Sequence, residues 1–383
     1  MRASTVMLLC LGMTSVTFVQ LVSVNSLAPL IMHEFNITPY VMGVLMALWT
    51  APTILSPLIG KLVDSLGPIK IGVVCLTMMS MASLATAYSG NIYALSATRL
   101  LFAVFMPLVW PICAKIVSLY VPKEMYSLAT SVYNTGSMIG LTLTFIIPGL
   151  LAENWRLVLT TTALIGFSYT VTYVYFFRDK WNLSTYKTDS ADNSLKERSI
   201  PYRLLIIMTV SFFLALYPWG LMVSWTSTFL VRELNLRYED LIPHMILIAT
   251  LSFFVEISSG VISDKIGGLK GKKITLITGL LVTGALLAFI TVINDIALKS
   301  TLLFTTFIVY RVSAPSFWSI VNEVIPPVLI GRFSGIYTLA GPAVGLITSA
   351  LNGYIIEVTG SLEIGFLIAS MITLLSVLMY SKV

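Results

Sequence analysis

A chain of 383 residues that is 57% hydrophobic and only 10% charged is excluded from the ordinary soluble class, where about a quarter of residues are charged; lipid must be its solvent. The net charge of +6 could suggest a nucleic-acid partner, but its distribution over alternating loops accounts for it without one. Cys10, Cys75 and Cys113 fall inside apolar stretches and are odd in number, which speaks against a disulfide framework and for small packing residues.

The first apolar stretch, residues 3–32, is longer than a signal-peptide core and is followed by no small-residue cleavage pattern, so it reads as a retained helix. Uncharged stretches follow at 35–60, 71–98, 125–152, 157–177, 204–231, 274–294, 333–356 and 364–381. Three more carry an ionisable residue within them: Arg99 in 91–119, Glu256 in 241–263 and Arg311 in 300–322. A hydrocarbon core takes about 20 residues to cross, and the total is twelve spans. Between the sixth and seventh lies "RDKWNLSTYKTDSADNSLKERSIPY", the long polar stretch of the chain, which divides it into a bundle at 1–177, a cytoplasmic linker at 178–202 and a second bundle at 203–383. With the N-terminus inside, 17 of the 23 Lys and Arg lie on the cytoplasmic side and 4 outside (Arg156, Arg232, Arg237, Lys299), whereas Asp and Glu divide 8 and 8. That asymmetry predicts a multi-pass protein with both termini in the cytoplasm, and the absence of organelle signals suits the plasma membrane.

The two halves repeat one another. "GKLVDSLGPIK" at 60–70 and "GVISDKIGGLK" at 260–270 share Gly, three residues, Asp, two residues, Gly. "HEFNIT" at 33–38 matches "RELNLR" at 232–237 at an offset of 199, and "GSMIG" at 136–140 matches "GPAVG" at 341–345 at an offset of 205. Registers that hold across so much chain predict parallel repeats, two six-helix bundles of one design.

On these residues the chain resembles the major facilitator superfamily of secondary transporters. That family carries Gly, three residues, Asp, a basic residue, any residue, Gly and two basic residues between spans two and three, with a weaker copy between spans eight and nine. The fuller copy here is the second, with Gly260, Asp264, Lys265 and Gly267 followed by Lys270, Lys272 and Lys273. The first keeps Gly60, Asp64 and Gly67 but has Ser65, Pro68 and Ile69 where basic residues are usual. The resemblance implies an all-α integral membrane fold of twelve transmembrane helices in two six-helix pseudo-repeats, working as a single chain by alternating access. It also implies that the motif is a conformational latch. Physically, a Gly at a helix end permits close approach of a neighbour, and an Asp beyond it can accept from the free amides at another helix's N-terminus.

An Arg at the centre of a membrane helix costs about 2.5 to 3.5 kcal/mol, so one retained there faces a cavity or a partner. Arg311 lies about 17 Å along span ten at about 1.5 Å per residue, near the midplane, and Arg99 about 12 Å into span four, close enough to the surface that snorkelling is an alternative. If the resemblance holds, spans one, four, seven and ten line a central cavity. Arg99 and Arg311 then favour an anionic substrate such as a carboxylate, which a guanidinium grips through paired hydrogen bonds. Gln20 and Asn25 of span one, Tyr217 and Trp219 of the "YPWG" break in span seven, and Tyr310 and Trp318 of span ten complete the expected site. Glu256, near the cytoplasmic end of span eight, is a candidate for proton coupling; its plainer reading is a partner for a cation or a helix terminus at that end.

His33 and His244 are too far apart for a spaced metal motif, "GGLKGKKIT" lacks the first Gly and the final Ser or Thr of a phosphate loop, and there is no nucleophile elbow. No cofactor, metal or enzymatic chemistry is expected. The expected function is secondary active or facilitative transport of a small organic solute, with a drug or metabolite exporter of the same superfamily as the alternative and a non-transporting solute sensor after it.

Overall fold

Hydrocarbon offers backbone polar groups no partner but each other, so segments that cross it are helices or strands of a closed barrel, and stretches of about 20 apolar residues have the length of helices. The computed structural model describes residues 2–52, 67–122, 125–151, 154–178, 202–325, 337 and 339–382. Gly60, Asp64 and the linker over 179–201 lie outside the described residues. Among the described residues, nine helices are long and apolar enough to cross a membrane.

Span one is α1 (Ala3–Ser26) and α2 (Ala28–Phe35), parted at Leu27 with Pro29 in the first turn of α2. Span two begins as α3 (Pro39–Thr50) and span three is α4 (Pro68–Ala87). Span four is α5 (Ile92–Phe105) and α6 (Val109–Tyr120), separated by a tight turn, Met106–Leu108, that holds Pro107. Spans five and six are α7 (Tyr126–Leu150) and α8 (Trp155–Phe177). Span seven, α9 (Tyr202–Ser227), continues into a wider π turn at Thr228–Glu233. Spans eight and nine are α10 (Tyr238–Ile266) and α11 (Gly268–Val292). Span ten is α12 (Ile296–Tyr310) and α13 (Ala314–Val324), broken over 311–313 with Pro315 opening α13. Spans eleven and twelve are α14 (Ala340–Thr359) and α15 (Glu363–Tyr380).

The chain forms two compact units: Met1–Ile37 with Leu48–Lys187 and Leu236–Ile242, and Thr38–Ala47 with Thr188–Asn235 and Pro243–Val383. Each has the same wiring. In the first, α1 packs on α7 and α8, and α4 on α5 and α8; in the second, α9 packs on α14 and α15, and α11 on α12 and α15. The core of the first unit is built from Met13, Cys75, Met79, Phe102, Cys113 and Tyr173, among others; all three thiols are free and buried.

The sequence repeats have structural meaning. Asn36 and Asn235, at matching places in "HEFNIT" and "RELNLR", adopt left-handed backbone with φ of 49° and 53°, a conformation Asn tolerates better than most residues and which stops a helix. The glutamate two residues earlier reaches the start of the unit's last helix in both cases. Glu34 pairs with Arg156 and accepts from Trp155 Nε1; Glu233 accepts from the Leu362 amide at 3.0 Å and the Ser361 hydroxyl at 2.8 Å. Gly67 and Gly267, with φ of 85° and 83°, open α4 and α11.

Two expectations need correction. The "YPWG" residues do not break span seven: α9 runs through Pro218 uninterrupted. Gly220 serves packing instead, since a Cβ there would lie 2.7 Å from Val344 and 2.8 Å from Thr348. Nor does Gly341 repeat the role of its counterpart Gly136. Gly136 and Gly140 let α7 press onto α1, where a Cβ on Gly140 would meet Ser15 O and Val19 N at 2.8 Å. Among the described residues nothing lies within reach of a Cβ on Gly341, whereas Gly220 on the opposite helix stands at a close approach in the second unit.

Candidate substrate-binding and conformational sites

In the second unit the break in span ten sets the geometry. With α12 ending at Tyr310, Arg311 begins the turn, and the Ser259 hydroxyl of α10 donates to Val312 O and fastens the turn to span eight. One helical turn before Ser259 is Glu256, whose Oε2 lies 3.7 Å from Arg311 Nη1. The guanidinium carbon sits 4.4 Å from the centroid of the Trp219 ring. Trp219 in turn stacks on Tyr310, with centroids 5.6 Å apart and planes 11° from parallel. The Tyr310 hydroxyl donates to Ala215 O at 3.2 Å, joining α12 to α9. Four expected site residues, Arg311, Glu256, Trp219 and Tyr310, therefore form one cluster of a cation, an acid and two rings.

Two others go elsewhere. Tyr217 is buried against α14, where Asn352 Nδ2 reaches its hydroxyl at 3.4 Å. Trp318 is 44% exposed and meets Phe212 and Tyr337 edge-on, reaching Tyr310 only through the rings of Phe212 and Phe317.

In the first unit Arg99 does not snorkel. It is 2% exposed, and its Nη1 and Nη2 donate to the carbonyls of Gln20 and Leu21 on α1, at 3.1 and 3.0 Å. Its Cζ lies 4.4 Å from the Phe102 ring centroid and 5.9 Å from that of Trp49. Gln20 is fully buried, with Nε2 donating to Ser80 Oγ and Thr162 O, both at 3.1 Å, so it ties span one to spans three and six. Asn25 is half-buried on α1. The two arginines are not structural equivalents. Arg311 stands at the break in its span, whereas Arg99 stands seven residues before the corresponding break at Met106.

At the described copy of the sequence motif, the Asp264 carboxylate is taken by Lys272 in the opening turns of α11. That ion pair replaces the expected hydrogen bonds to the amides of another helix. Lys265 is exposed, and among the described residues a Cβ on Gly260 would meet only Pro315, at 3.9 Å, so no close approach of a described helix depends on it. Gly267 is required for its backbone, because φ of 83° is strained for any residue with a side chain.

Sequence reasoning missed Trp49, Phe102 and Ser80, which surround Arg99 and Gln20. Their hydropathy and spacing match packing residues, and nothing local marks them.

The wiring of two like units and the paired turns agree with comparison against known proteins. The pattern described as Major Facilitator Superfamily matches residues 8–349. The chain belongs to the major facilitator superfamily. It is 22% identical to the Probable sulfoacetate transporter SauU of Cupriavidus necator over 94% of this chain and 89% of that one, and 21% identical to the Hexuronate transporter of Bacillus subtilis over 89% and 85%. In fold it is similar to a bacterial homolog of the human lysosomal transporter Spinster, in an inward-facing and unoccupied conformation, with a TM-score of 0.75, 14% identity and coverage of 99% and 95%. As a member of the major facilitator superfamily the protein is a multi-pass membrane transporter of a small molecule and not an enzyme.

Proposed function

We propose that this transporter moves a small organic anion, a carboxylate or sulfonate with a short apolar body, across the plasma membrane by alternating access. Arg311 is the group that recognises the anion, and Trp219 and Tyr310 give its body a surface. The observation that carries this reading is the 3.7 Å spacing between Arg311 and Glu256. That spacing exceeds hydrogen-bond length, so the pair is a charge contact that an oxyanion able to form two bonds of about 2.8 Å can exchange with. The names of the sulfoacetate and hexuronate relatives, both organic anions, support the same class.

Glu256 gains a role in this reading. When a substrate takes Arg311, the carboxylate loses its counter-charge at membrane depth, and binding a proton removes that penalty. Arg99, with both terminal nitrogens given to α1 carbonyls, positions span four on span one rather than touching substrate. The protein works as a single chain with both termini in the cytoplasm, in keeping with its loop charges.

The test is thermal unfolding of the purified full-length protein in detergent against small carboxylates, sulfonates, neutral sugars and lipophilic cations, beside Arg311→Gln. A ligand at a hundred times its dissociation constant stabilises by about 2.7 kcal/mol. One anion class should raise the unfolding temperature of the parent protein and leave the variant unmoved. Equal stabilisation of both proteins by cations or neutral compounds would overturn the reading in favour of an exporter.

A further inference from the structure

Arg99 presents a problem of charge that the substrate reading does not solve. Its guanidinium is 2% exposed at membrane depth, and no carboxylate among the described residues pairs with it. Two helix carbonyls and the face of Phe102 offset part of the charge, but a buried cation without a counter-ion remains expensive.

The same place holds a second irregularity. Arg99 Nε, Trp49 Nε1 and Gln20 Oε1 are all buried without a hydrogen-bond partner, although more than nine in ten buried polar groups normally find one. Two are donors. Arg99 Cζ is 5.9 Å from the Trp49 ring centroid, so the two side chains are neighbours.

We propose that the first unit carries a binding site for a small monovalent inorganic anion, a halide, held between Arg99 Nε–H and Trp49 Nε1–H. One water accompanies it, donating one hydrogen to the ion and the other to Gln20 Oε1. This arrangement satisfies all three orphaned atoms and neutralises the buried guanidinium. A neutral water alone would satisfy the hydrogen bonds but leave the charge. A carboxylate substrate is a poorer fit, because the terminal nitrogens that would grip it as a fork already serve Gln20 O and Leu21 O. The ion is thus a structural counter-ion of the contact between spans one, two and four, distinct from the substrate proposed at Arg311.

The experiment is a thermal-unfolding titration of the full-length protein, as the parent and as Arg311→Gln, with sodium chloride and sodium bromide exchanged against sodium gluconate at constant ionic strength; the variant reads the halide effect free of gluconate binding at Arg311. A saturable rise in unfolding temperature with either halide is expected. Arg99→Gln should abolish it. Because that variant is at risk of folding poorly, Trp49→Phe is the second arm: it keeps a ring and removes one donor, and its halide midpoint should move about tenfold higher, the scale of one charge-assisted hydrogen bond. Identical unfolding in chloride and gluconate for Arg311→Gln would overturn the proposal and leave a water at the site. A halide effect with an unshifted midpoint in Trp49→Phe would place the ion elsewhere and overturn it equally. Arg311→Gln should retain the halide response, so this proposal and the substrate reading fail separately.

Discussion

At the scale of single residues, the outer turn after span one shows what a short sequence can dictate. Asn36 stops α2 in left-handed backbone, and Glu34 two residues earlier turns to Trp155 and Arg156 at the start of α8. Burial raises the Glu34 carboxyl and is the largest single influence, but hydrogen bonds from Trp155 and Arg156 together with the Arg156 charge outweigh it, so the group sits below its ordinary range. A depressed carboxyl contributes stability that is complete above its unfolded pKa and is lost as pH falls through the folded value. Both side chains are more than a third exposed, so solvent screening holds the contribution to about 1 kcal/mol or less. Glu34→Gln should therefore unfold at a lower temperature than the parent at neutral pH, and the gap should close as pH drops below the ordinary carboxylate range. A gap that stays constant with pH would assign the loss to shape rather than charge. The Asn and Glu were legible because they recur at one offset. The arginine that answers Glu34 was not, since it lies 122 residues away and only folding brings it near.

At the scale of helices, identical motifs have different tasks. Gly136 and Gly140 are needed because the backbone of α1 lies where a side chain would stand, whereas among the described residues nothing lies within reach of a Cβ on Gly341. Gly140→Val should sharply lower the yield of folded protein and its unfolding temperature, by a few kcal/mol as overpacking does, and Gly341→Ala should be nearly neutral. Equal effects in the two variants would contradict the packing described. The breaks in spans four and ten were not legible. Apolar character runs straight through them, because lipid selects for hydropathy and is indifferent to whether a helix is continuous. Proline marks both breaks, at Pro107 and Pro315, yet α9 passes through Pro218 without one. Proline weakens a helix locally, and its neighbours decide the outcome.

At the scale of the whole molecule, the proposed exchange at Arg311 has a consequence for energetics. If Glu256 takes a proton when substrate displaces it, uptake into proteoliposomes should be driven by an imposed proton gradient in the parent protein. Glu256→Gln should still bind the anion and exchange it across the membrane, but its uptake should no longer respond to the gradient. A gradient response that survives in the variant would remove Glu256 from coupling while leaving Arg311 as the anion site. Sequence by itself determined the membrane class, the helical fold and the superfamily, because each is written in composition, hydropathy period and repeats that need no knowledge of distant contacts. It also named both intramembrane arginines, since a charge in an apolar span is conspicuous. Only the tertiary structure decided what each arginine meets: Glu256 and Trp219 for Arg311, the carbonyls of α1 for Arg99. The reason is physical. Partition into lipid depends on what a residue is, but the worth of a buried charge depends on which atoms surround it, and those come from helices far apart in the chain.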